Sequence, residues 1–193
     1  RRVGSECRAQ MVIDADGLNA LVGLEGDLGG AVLTPHPGEM ARLIQASVPD
    51  VTGNRVEVAS DFAKRRNAYV VLKGYRTVIA APDASVYINP TGNPGMATGG
   101  TGDVLTGMIA GILAQEYLGS FIERLCLAVY MHGLAGDLAA EELGEQSLVA
   151  TDLLRFLPKA WDTVGAVDGR PRSSMRDRRP FAKRQRDSAQ PQE

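Results

Sequence analysis

The sequence is poor in cysteine and has no long apolar run. Cys7 and Cys126 stand far apart, with no CxxC pair and no Cys/His spacing around them, so neither a disulfide framework nor a structural zinc site is indicated. A reducing compartment, the cytoplasm, is the expected location. The longest apolar stretches, such as Val104–Ala114, stop well short of the ~20 residues that cross a bilayer, and Gly107 and Gly111 interrupt that one. No membrane span is expected. Residue 1 is Arg, and a buried-type strand follows after only ten residues with no apolar leader core ahead of it. The chain reads as one whose beginning lies elsewhere. Neither GxxxxGK[ST] nor GxGxxG occurs, so a P-loop or a dinucleotide fingerprint is also lacking.

What is present is a globular composition: 193 residues, 44% hydrophobic, 23% charged and net −2, enough for one domain with a substantial core. The mean hides a division. From Gly169 to Glu193 eight basic residues stand against three acidic ones, net +5, which leaves −7 for the remainder. That tail has no Val, Ile or Leu, and Pro171, Pro180 and Pro191 break it, so it is expected to be disordered. The expected organisation is a folded part over 1–168 and a basic tail over 169–193. A basic tail suits a polyanion or is simply solvated, while the acidic body argues against a nucleic-acid-binding domain.

Along the body, Met11–Ile13 and Ala31–Thr34 read as apolar strands without polar alternation, the pattern of strands covered on both faces in parallel sheets. Tyr69–Leu72, Thr77–Ala81 and Val86–Asn89 are further strands, the last two turning at Pro82–Ser85. Helices are predicted at Leu18–Leu21, Glu39–Ile44, from Asn54 through Arg66, Val104–Gln115, Ile122–Leu143 and Asp152–Trp161. Asn54 and Glu57 resemble a capping box, Val56, Ala59, Phe62 and Ala63 form one apolar face, and Thr151 is the candidate N-cap of the last helix. The class is α/β, with ligand-binding loops gathered at the strand C-terminal ends.

The chemistry concentrates in Asn93–Asp103. Closely spaced glycines let backbone N–H groups turn toward one anion, and the helix that follows adds its own unpaired amides and dipole. Asp103 suits either an acid/base role or an ordinary cap. Lys73 follows a strand end and either meets phosphate or stays solvated. His36, between two prolines, is a ligand contact or a polar loop residue. Asp14 and Asp16, read as strand neighbours, point to opposite faces, which makes Asn19 the better candidate there, with a turn-forming role as the alternative. His132 lies in an apolar helix and reads as a packed or satisfied histidine.

Four segments, Val12–Asn19 (VIDADGLN), Leu33–Glu39 (LTPHPGE), Val71–Gly74 (VLKG) and Gly95–Gly107 (GMATGGTGDVLTG), resemble the ADP-dependent (S)-NAD(P)H-hydrate dehydratase family of the ribokinase-like superfamily. The resemblance covers about residues 11–161. It implies a three-layer α/β/α fold with a mostly parallel sheet, here a partial copy truncated at the N-terminus. It also implies a reaction: ADP phosphorylates the C6 hydroxyl of hydrated NADH or NADPH, and loss of phosphate restores the nicotinamide, leaving AMP. Mapped here, Asp103 is the base; His36, Asn19 and Asp103 face the substrate; Lys73, Gly74, Tyr75, Arg76, Thr77, Asn93, Gly99, Gly100, Thr101 and Gly102 face the nucleotide. Magnesium is implied, with its ligands unassigned, as are a homo-oligomer and an NAD(P)HX epimerase fused or associated. A hydroxymethylpyrimidine or thiazole kinase of the same superfamily is the rival, since it would use the same base and cradle. A truncated nucleotide-binding scaffold is a third reading.

Overall fold

The computed structural model describes residues 9–167. The basic tail expected over 169–193, and Cys7, lie outside the described residues.

Five strands, β1 (Val12–Ile13), β2 (Val32–Leu33), β3 (Tyr69–Leu72), β4 (Val78–Ala80) and β5 (Val86–Ile88), form one sheet in chain order. The first three pair in parallel, with Val12 opposite Val32 and Leu33 opposite Val70, while β4 runs antiparallel to both neighbours. Four of the five strands therefore share one direction. Among the described residues there are seven α-helices: α1 (Asp16–Asn19), α2 (Pro37–Ile44), α3 (Val48–Gly53), α4 (Arg55–Arg66), α5 (Thr101–Leu113), α6 (Phe121–Leu143) and α7 (Ala150–Val167). None among the described residues is long and apolar enough to cross a membrane.

Alternation along the strands separates two cores. Leu33, Val70, Leu72, Val78 and Ala80 face Met40, Val51, Ala59, Phe62 and Ala63 from α2, α3 and α4. Val32, Val71 and Ile79 point the other way, onto Leu105, Ile109, Leu125 and Val129 of α5 and α6. Helices thus cover both faces, as the unbroken apolar strands require. A third cluster, with Met131, Leu153 and Phe156, holds α7 against α6. His132 is buried on α6, and its Nε2–H donates to the Thr101 carbonyl at 2.9 Å, tying α6 to the first residue of α5. It is a satisfied histidine, as its apolar helix suggests.

Several local expectations are corrected. Helix α3 has no counterpart in the sequence reading, although Ser47 accepts from the Asp50 N–H and Asp50 in turn accepts from Ser47. Asn54 makes no cap: its amide donates to the Asp50 carbonyl, because the chain enters α4 directly from α3. Val56 leaves the apolar face and is 46% exposed. Helix α5 begins at Thr101, earlier than Val104, since Gly100 in the left-handed region (φ 89°) already turns the chain. Thr151 lies inside α7; Asp152 instead accepts from the Val149 N–H at 3.1 Å.

Two stability predictions follow from burial. Phe62→Ala removes a ring only 1% exposed and is expected to cost about 3–5 kcal/mol in denaturant unfolding, whereas Val56→Ala should cost under about 1 kcal/mol. Burial, reinforced by the Lys73 charge and only partly opposed by the Thr101 hydrogen bond, lowers the His132 pKa from 6.5 to about 4. Its neutral form is the folded form, so this stabilisation is full above the unfolded value and is lost as pH falls from 6.5 toward about 4. The loss is on the order of 3 kcal/mol. Melting of wild type and His132→Gln across that window should show a distinctly flatter profile for the variant.

Candidate active site

Asp14, His36 and Lys73 follow the C-terminal ends of β1, β2 and β3, the edge at which open α/β sheets place their ligands. A cavity of about 570 Å³ opens there, walled by the Lys73–Thr77 turn, the loop from Gly92 to Thr98 and the start of α5, with Val129 and His132 of α6 behind. Its size falls within the roughly 300–1,000 Å³ typical of small-molecule sites.

Lys73 is the pivot. Its ammonium donates to Asp14 Oδ1 at 3.0 Å and lies 3.8 Å from Glu39 Oε2, with most of the side chain buried. Thr106 of α5 donates to the other Asp14 oxygen at 2.8 Å. Burial works against the Asp14 charge, but the Lys73 and Thr106 hydrogen bonds and the ammonium field outweigh it and hold the carboxyl below its ordinary range. Asp14 thus belongs to this cluster, contrary to the sequence reading. Ala15, at φ 46° and ψ −116°, ends the strand in a tight turn closed by Gly17 N–H to the Asp14 carbonyl at 2.9 Å. Asp16 is already helical, so strand alternation does not apply to the pair. The position of Asp14 at a strand end, matching those of Lys73 and His36, was the available signal. Glu39 was missed as well.

Three amides of the α5 first turn, on Thr101, Gly102 and Asp103, have no helical carbonyl to bond. A Cβ on Gly102 would stand 3.4 Å from Lys73 Nζ, at van der Waals contact, so the ammonium lies directly beside the helix start. Gly99 has open space around it. Asp103 is exposed in the first turn, one residue beyond the cavity lining, with no hydrogen bond or ion pair among the described residues. Thr101 contributes only its backbone: its buried hydroxyl donates inward to the Met96 or Thr98 carbonyl, at 2.8 and 2.9 Å.

The Lys73–Thr77 turn is shaped by Gly74 (φ 139°) and Arg76 (φ 53°), and Thr77 Oγ1 donates to the Gly74 carbonyl at 3.1 Å. Arg55, from the start of α4, donates to the Leu72 carbonyl at 2.9 Å and also to that of Tyr75, bracing the turn from behind. Tyr75 is 79% exposed at the rim with the Arg76 guanidinium over its ring.

The remaining candidates divide. His36 lines the cavity and is also the N-cap of α2: its Nδ1 accepts from the Gly38 and Glu39 amides at 3.0 and 3.2 Å, and Glu39 returns the bond to the His36 N–H at 2.7 Å. Asn19 is not brought to the cavity; its amide turns back to Asp16 at 3.3 Å. Asn93 lines the cavity, but its side chain is engaged on both ends, donating to Asp137 Oδ1 at 3.0 Å and accepting from the Gly95 N–H at 3.1 Å.

This chain matches the NAD(P)H-hydrate dehydratase family model over residues 2–159. It is 53% identical over 151 residues to the bifunctional NAD(P)H-hydrate repair enzyme of Moorella thermoacetica, covering 76% of this chain and 28% of that protein. It superposes on the ADP/ATP-dependent NAD(P)H-hydrate dehydratase of Bacillus subtilis, co-crystallised with ATP and magnesium and soaked with CoA, with a TM-score of 0.74 at 38% identity, covering 80% of this chain and 56% of that one. A ribokinase-like superfamily protein of Enterococcus faecalis gives a TM-score of 0.65 at 32% identity, covering 80% and 52%. The chain thus spans about half the length of these proteins of known structure and under a third of the bifunctional enzyme. Its fold is ribokinase-like, and it belongs to the NAD(P)H-hydrate dehydratase family.

Proposed function

We propose that this chain carries the nucleotide half of an active site that dehydrates hydrated NADH and NADPH at the expense of ADP. The observation that carries the reading is the approach of Lys73 to Gly102: a cation and the free amides of a helix start meet in one cavity, with the unpartnered Asp103 carboxylate beside them. Phosphoryl transfer needs mainly positioning and charge stabilisation, and this arrangement supplies both.

The C6 hydroxyl of the hydrate is a poor leaving group. In the proposed reaction Asp103 takes its proton while the hydroxyl oxygen bonds to the terminal phosphorus of ADP and the bond to AMP breaks. The amides of residues 99–102 and the Lys73 ammonium hold the transferred group. Cleavage of the C6–O bond, with loss of a proton from the neighbouring ring carbon, then releases phosphate and restores the double bond. His36 is the substrate-side contact in this chain; Asn19, whose amide turns back to Asp16, is given no part in the step. Asp14 and Glu39 are hard oxygen donors, but Lys73 already engages both and neither lines the cavity, so no magnesium ligand is assigned to this chain; a magnesium ion carried by the nucleotide would neutralise phosphate charge when bound. The proposed setting is the cytoplasm. The proposed assembly is a homo-oligomer with an epimerase fused or associated, a second activity that the bifunctional name of the Moorella relative supports.

A protein containing this chain, given hydrated NADH, ADP and magnesium, should recover the near-ultraviolet absorbance of NADH. Turnover without nucleotide would overturn the dehydratase reading, and phosphorylation of a vitamin precursor at equal efficiency would favour the kinase. Asp103→Asn is expected to lower the rate by about 10²–10⁴ while ADP still binds. Gly102→Ala sets a methyl 3.4 Å from Lys73 Nζ, in contact with it and in the space a phosphate held by both would occupy. It should therefore weaken ADP binding about tenfold, read by calorimetric titration, with little change in melting temperature.

A further inference from the structure

The loop that carries the anion cradle is held from behind by α6, at its start and at Met96. Thr91 Oγ1 donates to the Tyr130 carbonyl at 2.9 Å, and Asp137 accepts from the Gly92 N–H at 2.9 Å and from Asn93 Nδ2 at 3.0 Å. Met96 packs so closely on Gly136 that a Cβ there would sit 2.3 Å from its sulfur. The same residue's carbonyl accepts the Thr101 hydroxyl, so whatever fixes Met96 also fixes the first turn of α5.

We propose that Asp137 and Asn93 form a polar lock that positions the cradle amides, and that Asn93 is a positioning residue rather than a nucleotide ligand. Asn93 reads in one direction only: its N–H₂ faces the Asp137 carboxylate and its carbonyl faces the Gly95 N–H, so both ends of the amide are assigned by their partners. The lock couples the helix to Gly92 through one carboxylate oxygen and to Gly95 through the other, by way of Asn93. Gly95 is packed in turn against the link between α6 and α7, where a Cβ would lie 2.5 Å from the Glu145 carbonyl. Its role in binding rests on the nucleotide reading of the cradle; its role in ordering the loop does not.

The pair can be reversed, and reversal is the test. Asn93→Asp sets two carboxylates against each other, and Asp137→Asn sets two N–H₂ groups against each other or turns a donor on the Gly92 amide. The double variant Asn93→Asp/Asp137→Asn restores every bond with the roles exchanged and keeps the net charge. Amide hydrogen exchange of residues 99–102 in the nucleotide-free chain is read beside calorimetric titration with ADP. Each single variant is expected to speed that exchange and weaken ADP binding by about tenfold, with the double variant returning to within about threefold of wild type. Single variants that leave exchange and binding unchanged would overturn the lock, as would a folded double variant that fails to recover. Should the singles fail to fold, the double alone decides, by the same recovery. The expected exchange pattern in a chain that binds no ADP would uphold the lock and overturn the nucleotide reading.

Discussion

A cation held between two carboxylates is the constraint on which the rest of the site depends. Lys73 leaves the end of β3, Asp14 the end of β1, and Glu39 the first turn of the helix after β2, so one largely buried ammonium joins the chain segments that leave three neighbouring strands. Removing Lys73 would leave two mostly buried carboxylates without their shared cation, a costly loss. Thr106 extends the cluster to α5, and the ammonium lies beside Gly102 at the positive end of that helix. The unfavourable approach of a cation to a helix N-terminus is tolerated because the carboxylates face it from the other side. An incoming phosphate would meet both positive groups at once.

Much of the fold was legible, and the reasons are local. Val32, Leu33 and Val70–Leu72 are apolar on both faces because helices cover both faces, and a two-sided strand needs no alternation to be recognised. Helix α3 was harder, with Pro49 inside a short segment obscuring an otherwise recognisable Ser47–Asp50 cap. The glycines of 92–102 marked a sharp turn into a helix, and Gly100 makes that turn at φ 89° while Gly102 sets the helix start beside Lys73. What the local pattern could not reveal was where polar side chains turn. Thr101 and Asn93 lie in the expected loop, yet both face inward, toward partners on the loop itself and on α6. Asp14 was misjudged because a single residue, Ala15, leaves extended geometry. Asp137 could not be found at all: its partners stand more than forty positions away, and nothing in an apolar helix marks a carboxylate as reaching back so far.

Helix α6 has two faces with different tasks. Leu125 and Val129 support the sheet, as any covering helix would. One turn later His132, Gly133, Gly136 and Asp137 address the loop, two of them by hydrogen bonds and two by having no side chain in the way. The glycines cost helix propensity, about 1 kcal/mol each relative to alanine, and that cost purchases contact with Thr91 and Met96. The second half of the helix is thus selected for the loop it braces.

The order of strands in the sheet equals their order in the chain. No strand must be inserted between two others already paired, so assembly can proceed by addition at an open edge. The antiparallel turn from β3 through β5 closes over short loops at the least entropic cost, while β1–β2 and β2–β3 each join across a longer helical crossover. The Lys73 cluster draws on the ends of β1, β2 and β3 alike, so it is complete only when both helical crossovers have closed.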